Sequence, residues 1–147
     1  GYSVSLSSDG KVVAIGATWN SGGGNNSGHV RIFTFDGRSR WVQIGQDIDG
    51  EAADDWSGYS VSLSSDGKVV AIGARYNDGG GRDSGHVRIF TLDDSSKWIQ
   101  IGQDIDGEAA SDLSGTSVSL SSDGKVVAIG ARYNDGGGRD SGHVRIF

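Results

Sequence analysis

Small polar and apolar residues alternate at the start of the chain: Ser3 to Ser7 sets Val4 and Leu6 between serines, the period of two expected of a strand. Asp9-Gly10 is a hairpin signal, and the Val/Ile/Ala run from Lys11 to Ala17 predicts a second strand. A glycine-rich polar loop from Asn20 to Gly28 leads into His29-Val30-Arg31-Ile32-Phe33-Thr34-Phe35, a third strand that ends at the turn residues Asp36-Gly37. Trp41-Val42-Gln43-Ile44 predicts a short fourth strand, and Asp47 to Ser57 an acidic connection. No segment carries a helical period.

The whole pattern then recurs. Gly1-Tyr2-Ser3-Val4-Ser5-Leu6-Ser7-Ser8-Asp9-Gly10 returns at Gly58 and, with Thr116 in place of the tyrosine, at Gly115, a period of 57 residues. The units are 1–57, 58–114 and a partial third, 115–147, without its outer strand. Four antiparallel strands per unit, joined by short turns and repeated without helices, predict an all-β chain of four-stranded propeller blades, partial or assembled with further chain. A β-solenoid-like repeat fibre is the alternative, although solenoid coils are shorter and need no internal hairpin. Small residues on the first two strands (Ser3, Ser5, Ala14, Gly16, Ala17) suit blades that approach closely near an axis, while Phe33 and Trp41 come where blades splay apart.

Composition narrows the picture. Among 147 residues there are 26 glycines, well above the usual share of about 7%, and no proline, so glycine serves turns and close packing. A net charge of −6 gives no attraction to a phosphate backbone or an anionic membrane, which argues against nucleic acid as a partner. No apolar run approaches the roughly 18 residues that cross a bilayer, so membrane insertion is not expected. The absence of cysteine removes disulfides and thiolate metal sites. The chain opens without Met or a signal-peptide pattern, and with its incomplete third unit it is expected to belong to something larger.

Three stretches carry a family resemblance. Trp56-Ser57-Gly58-Tyr59-Ser60-Val61, Val70-Ala71-Ile72-Gly73-Ala74 and Gly85-His86-Val87-Arg88-Ile89-Phe90 resemble, in order and spacing, the entry, the Gly-Ala-Pro strand and the third strand of FG-GAP repeats. That family includes integrin α-chain propellers and bacterial and algal surface proteins, and the resemblance covers nearly the whole chain. Ser65-Asp66-Gly67-Lys68 is similar to the hairpin of WD-repeat propellers. Many FG-GAP blades carry a calcium loop between the first two strands; here Ser7-Ser8-Asp9-Gly10 offers too few oxygens for the ion.

Candidate chemistry lies elsewhere. Asp47, Asp49 and Glu51, repeated as Asp104, Asp106 and Glu108, alternate like the start of a calcium loop but lack its closing glutamate; calcium is the one cofactor to consider, and otherwise none is expected. Trp19, Tyr76 and Tyr133, after the second strand of each unit, are candidate sugar-stacking residues, although packing of the loop against the next blade explains them more cheaply. His29, His86 and His143 open the third strand of each unit as structural histidines, and Arg31, Arg88 and Arg145 are expected to pair with acidic neighbours. The glycine-rich loop Asn77 to Gly85 lacks the Lys-Ser/Thr pair and helix of a phosphate loop. Asn25-Asn26-Ser27 is an N-glycosylation sequon, present in the first unit alone.

No nucleophile and base pair stands out, and near-identical units place each candidate once per blade, whereas catalysis needs one asymmetric pocket. The expectation is a non-catalytic, extracellular or cell-surface repeat protein, a structural or adhesive module of a surface coat or filament. Its partners would be further blades, other copies of itself, glycans or cell-surface proteins. A lectin-like propeller and an accessory propeller of a larger secreted enzyme are the alternatives.

Overall fold

A computed structural model describes residues 1–147 and contains strands and turns without a helix. The first blade comprises β1 (Ser3–Leu6), β2 (Val12–Ala17), β3 (His29–Phe35), β4 (Trp41–Gln43) and β5 (Ile48–Asp49). The second comprises β6 (Ser60–Leu63), β7 (Val69–Ala74), β8 (His86–Leu92), β9 (Trp98–Gln100) and β10 (Ile105–Asp106). The third has β11 (Ser114–Leu120), β12 (Val127–Ala131) and β13 (His143–Ile146).

Each blade is an antiparallel meander, and the register repeats with the sequence: Ser3 faces Gly16 and Ser60 faces Gly73. The acidic connection departs from expectation. Ile48–Asp49 pairs with the start of β3 while Trp41–Gln43 pairs with its end, so the outer strand is broken in two. Gly45 breaks it, with a φ of 72° that a side-chain-bearing residue adopts at a cost. In the third unit β11 starts earlier, at Ser114, with a bulge before Ser117.

Because β7 lies between two blades, both of its faces are apolar, which explains the unbroken Val69-Val70-Ala71-Ile72 run. Val70 and Ile72 join Val61, Leu63, Phe90 and Trp98 against Ala14, Val30, Ile32 and Ile48 of the first blade. Ala71 and Val87 pack the other way, on Val127 and Ile129 of the third. Blade contact alone accounts for this burial: Val61 and Leu63 are 9% and 7% exposed, whereas their counterparts Val4 and Leu6 are 70% and 59% exposed.

Side chains stitch the junction as well. The Trp98 indole donates to the Ile44 carbonyl at 2.9 Å, and the Gln46 side chain pairs with both the N–H and the C=O of Trp98. Near the inner strands, a Cβ on Gly16 or Gly73 would overlap the carbonyl of Gly58 or Gly115 in the following blade. Glycine there sets how closely two blades approach.

Candidate functional site

The starts of β1, β3, β6 and β8 and the ends of β2 and β7 share one rim of the blades. Two groupings of chemistry-bearing side chains lie on it at the junction of the first and second blades.

The first is built on Arg75, which directly follows β7. Its guanidinium carbon lies 3.9 Å from the ring centre of Tyr59, 4.6 Å from Tyr76 and 5.3 Å from Trp56. Its two terminal nitrogens donate to the Tyr59 and Tyr76 hydroxyls at 2.8 and 2.9 Å. A cation held among three ring faces is stabilised by their quadrupoles, and the planar fork fixes both phenols. Edge-on contacts extend the cluster from Tyr76 through Trp56 to Trp19, with ring centres 4.8 and 6.3 Å apart, and Tyr2 lies 4.8 Å from Tyr59. Trp56 takes φ = 57°, the left-handed region disfavoured for a bulky side chain.

Trp19 and Tyr76 are thus brought together, through a residue, Trp56, that the pattern of loops did not single out. Tyr133 does not join them: it is exposed and its ring meets Arg132, because Leu113 and Thr116 stand where Trp56 and Tyr59 do. In the first unit Thr18 replaces the arginine. The cluster therefore occurs once in the chain. The signal was present in the sequence as the few positions at which the units differ.

The second grouping surrounds His86 on β8, whose side chain is 1% exposed. Its Nδ1 lies 3.8 Å from Glu51 and 3.8 Å from Asp104, too far for a hydrogen bond, and has no partner. Burial, helped by the Arg88 charge, pushes His86 down to about 4, against the pull of Asp104. The imidazole is therefore neutral at pH 7. Arg88 reaches Glu51 at 3.4 Å and donates to the Asp49 carbonyl at 2.6 Å, tying the second blade to the first. Burial raises Glu51 above the ordinary carboxylate range, with Arg88 opposing.

Of the six acidic candidates, Asp49 and Asp106 lie on β5 and β10, and the others flank these short strands. Asp47 is held by Arg31 and Gln43 at 2.8 and 2.7 Å, and the Arg31 contact lowers its pKa. Asp49 lies 3.9 Å from His29. Glu51 and Asp104 face His86, Glu108 lies 3.3 Å from His143, and the Asp106 carbonyl accepts from Arg145. The arginines thus pair as the sequence predicts, and each histidine meets its own acidic group. At the calcium position of related blades, Asp9 is the one carboxylate, and its Oδ1 accepts from the Ser7 hydroxyl and the Lys11 amide. That donor set does not fit an ion taking roughly six to eight oxygens. Asn25 is exposed, and its carbonyl accepts from the Asp54 amide.

Blades of this construction define a β-propeller protein. The FG-GAP repeat model matches residues 48–90 and 105–147, and the chain belongs to that family. A β-propeller domain of unknown function (DUF5122) matches residues 7–38. No curated protein matches the chain. Among solved structures, it is similar to a proposed 6-phosphogluconolactonase from Bacteroides fragilis at 20% identity and TM-score 0.62, covering 98% of this chain and 33% of that one. The periplasmic gluconolactonase PpgL of Pseudomonas aeruginosa matches at 19% identity and TM-score 0.59, covering 91% of this chain and 37% of that one. A proposed 6-phosphogluconolactonase from Bacteroides uniformis matches at 20% identity and TM-score 0.58, with 90% and 33% covered. At these identities the likeness carries the fold, and the chain spans about a third of each structure's length.

These findings correct the expectation of a non-catalytic structural or adhesive module. Three solved propellers similar to this chain are named as lactonases, so a ring of repeated blades is a scaffold on which enzymes are built. Repetition of the units does not make the junctions equivalent. The Arg75 cluster is present at one junction and missing from the next, which is the asymmetry a catalytic pocket needs.

Proposed function

We propose that this chain supplies blades to a lactonase-type propeller hydrolase that opens the cyclic ester of a sugar acid. The observation that carries the reading is the single Arg75–Trp56–Tyr59–Tyr76 cluster. Trp56 and Tyr76 offer aromatic faces to the C–H face of a sugar ring. Since the Tyr76 oxygen accepts from Arg75, its own O–H group can donate to a substrate hydroxyl. The fixed guanidinium charge favours the oxyanion that develops when water adds to the lactone carbonyl, and then the carboxylate product.

The lactonase names of three structures with this fold support the substrate class. The periplasmic setting named for the Pseudomonas aeruginosa protein is compatible with action outside the cytoplasm, which the proposal includes. Acid release from glucono-1,5-lactone, followed by pH-stat with the full-length protein, tests the reading. We expect a rate above spontaneous hydrolysis that falls at least about tenfold in kcat/KM for Arg75→Ala, one lost transition-state contact being worth that much or more. A rate equal to the spontaneous one overturns it.

A further inference from the structure

The His86 grouping is independent of the lactone reading. Glu51, His86 and Asp104 each offer one ligand atom, and these atoms lie within 4.8 Å of one another. His86 adds an observation of its own: Nδ1 is buried, has no hydrogen-bond partner, and points between the two carboxylates at 3.8 Å from each. A buried nitrogen left unpaired is costly, so its orientation calls for a partner. Ligands about 2.0–2.2 Å from a tetrahedral ion are themselves about 3.4 Å apart, so an ion would draw the two carboxylates, each 3.8 Å from Nδ1, slightly inward.

We propose that Glu51, His86 and Asp104 bind one divalent ion of the zinc class across the junction of the first two blades. The donor set selects this class: one imidazole nitrogen and two carboxylates suit a borderline ion, whereas calcium requires more oxygens. Charge agrees, since two carboxylates beside the single cation Arg88 leave a net negative site for a divalent ion. Arg88 contacts Oε1 of Glu51 and leaves Oε2 facing His86.

The ion would be a staple. Glu51 comes from the connection leaving the first blade, and His86 and Asp104 come from the second. His29 and Asp47, the counterparts of His86 and Asp104, group with Asp49 of the same blade, and Arg31 already holds Asp47 at 2.8 Å. At the third blade, His143 turns Nε2 toward Glu108. At His86, Gln100 donates to Oδ1 of Asp104 at 2.7 Å and Arg88 contacts Oε1 of Glu51, which leaves Oδ2 and Oε2 turned toward the imidazole.

The test is calorimetric titration of the EDTA-dialysed full-length protein with Zn²⁺ and separately with Ca²⁺, paired with thermal melts. Because other blades of the full-length protein can add sites, the reading is the class of Zn²⁺ binding lost in Glu51→Gln and in Asp104→Asn. Both substitutions are at partly exposed positions and keep the side-chain volume. The expected result is saturable Zn²⁺ binding and a Zn²⁺-dependent rise in Tm. In each variant one equivalent is lost or weakened at least tenfold, with the metal-free Tm near wild type. Co²⁺ bound at that equivalent should show the visible absorption of a four-coordinate ion. Unchanged Zn²⁺ binding in both variants, no saturable Zn²⁺ binding, or equal affinity for Ca²⁺ at that equivalent overturns the proposal.

Discussion

The Ser60 hydroxyl donates to the Gly115 carbonyl at 2.7 Å, and Ser3 donates to Gly58 in the same way at 2.8 Å one period earlier. Two residues on, Ser5 and Ser62 accept from the Leu63 and Leu120 amides, both at 2.9 Å. The serines of the inner strands therefore bond to the next inner strand, where no main-chain ladder runs between blades. Ser60→Ala should cost about 1 kcal/mol, the usual net worth of one hydrogen bond. Gly73→Ala, which drives a methyl into the Gly115 carbonyl, should cost about 1–3 kcal/mol. Urea denaturation of the two variants measures both, and a Gly73→Ala protein as stable as wild type would contradict the packing.

Trp98 and Trp41 occupy the same position in successive units yet are 2% and 46% exposed. Trp98→Ala in this chain should cost about 3–5 kcal/mol through the cavity and the lost bond to Ile44. Trp41→Ala should cost under about 1 kcal/mol, as for a surface position. Parallel denaturation curves test the difference, and equal losses would count against burial by the neighbouring blade.

Asp36 closes the turn after β3 by accepting from the amides of Arg38, Ser39 and Arg40 at 2.8, 3.1 and 3.1 Å. These bonds, led by those of Arg38 and Arg40, hold its carboxyl at about 2 instead of 3.8. A depressed pKa means that the unfolded chain takes up the proton first. The contribution is complete above pH 3.8 and is lost as pH falls toward 2. Carboxyl NMR should place the Asp36 midpoint near 2, and Asp36→Asn should flatten the stability profile between pH 4 and 2. A midpoint near 3.8 would contradict the turn geometry.

Arg75→Lys keeps the charge but not the planar fork that binds two phenols at once. It should raise KM for lactone and disturb the near-ultraviolet signal of the aromatic cluster, while leaving the far-ultraviolet spectrum unchanged. Wild-type KM and signal in this variant would mean that the fork is not used.

Much of the fold is legible in the sequence because strand alternation and the 57-residue period are local features. His29 to Phe35 is a strand with the predicted bounds, and the Asp-Gly hairpins fall where expected. The broken outer strand was less visible, since Ile48-Asp49 is only two residues long and owes its pairing to β3. The site was harder to read for a related reason. Trp56, Arg75 and Tyr76 converge only when blades pack, and the regularity that discloses the repeat draws attention away from its exceptions. Glu51 and His86 are likewise far apart in sequence and meet across a junction.

A crystal structure of the full-length protein soaked with gluconate, the open product of the proposed reaction, tests the assignment of the site most directly. The sugar chain is expected on the faces of Trp56 and Tyr76, with its carboxylate on Arg75 or the phenols that Arg75 holds. Gluconate bound elsewhere on the propeller, with the Arg75 cluster free of ligand, would contradict the assignment.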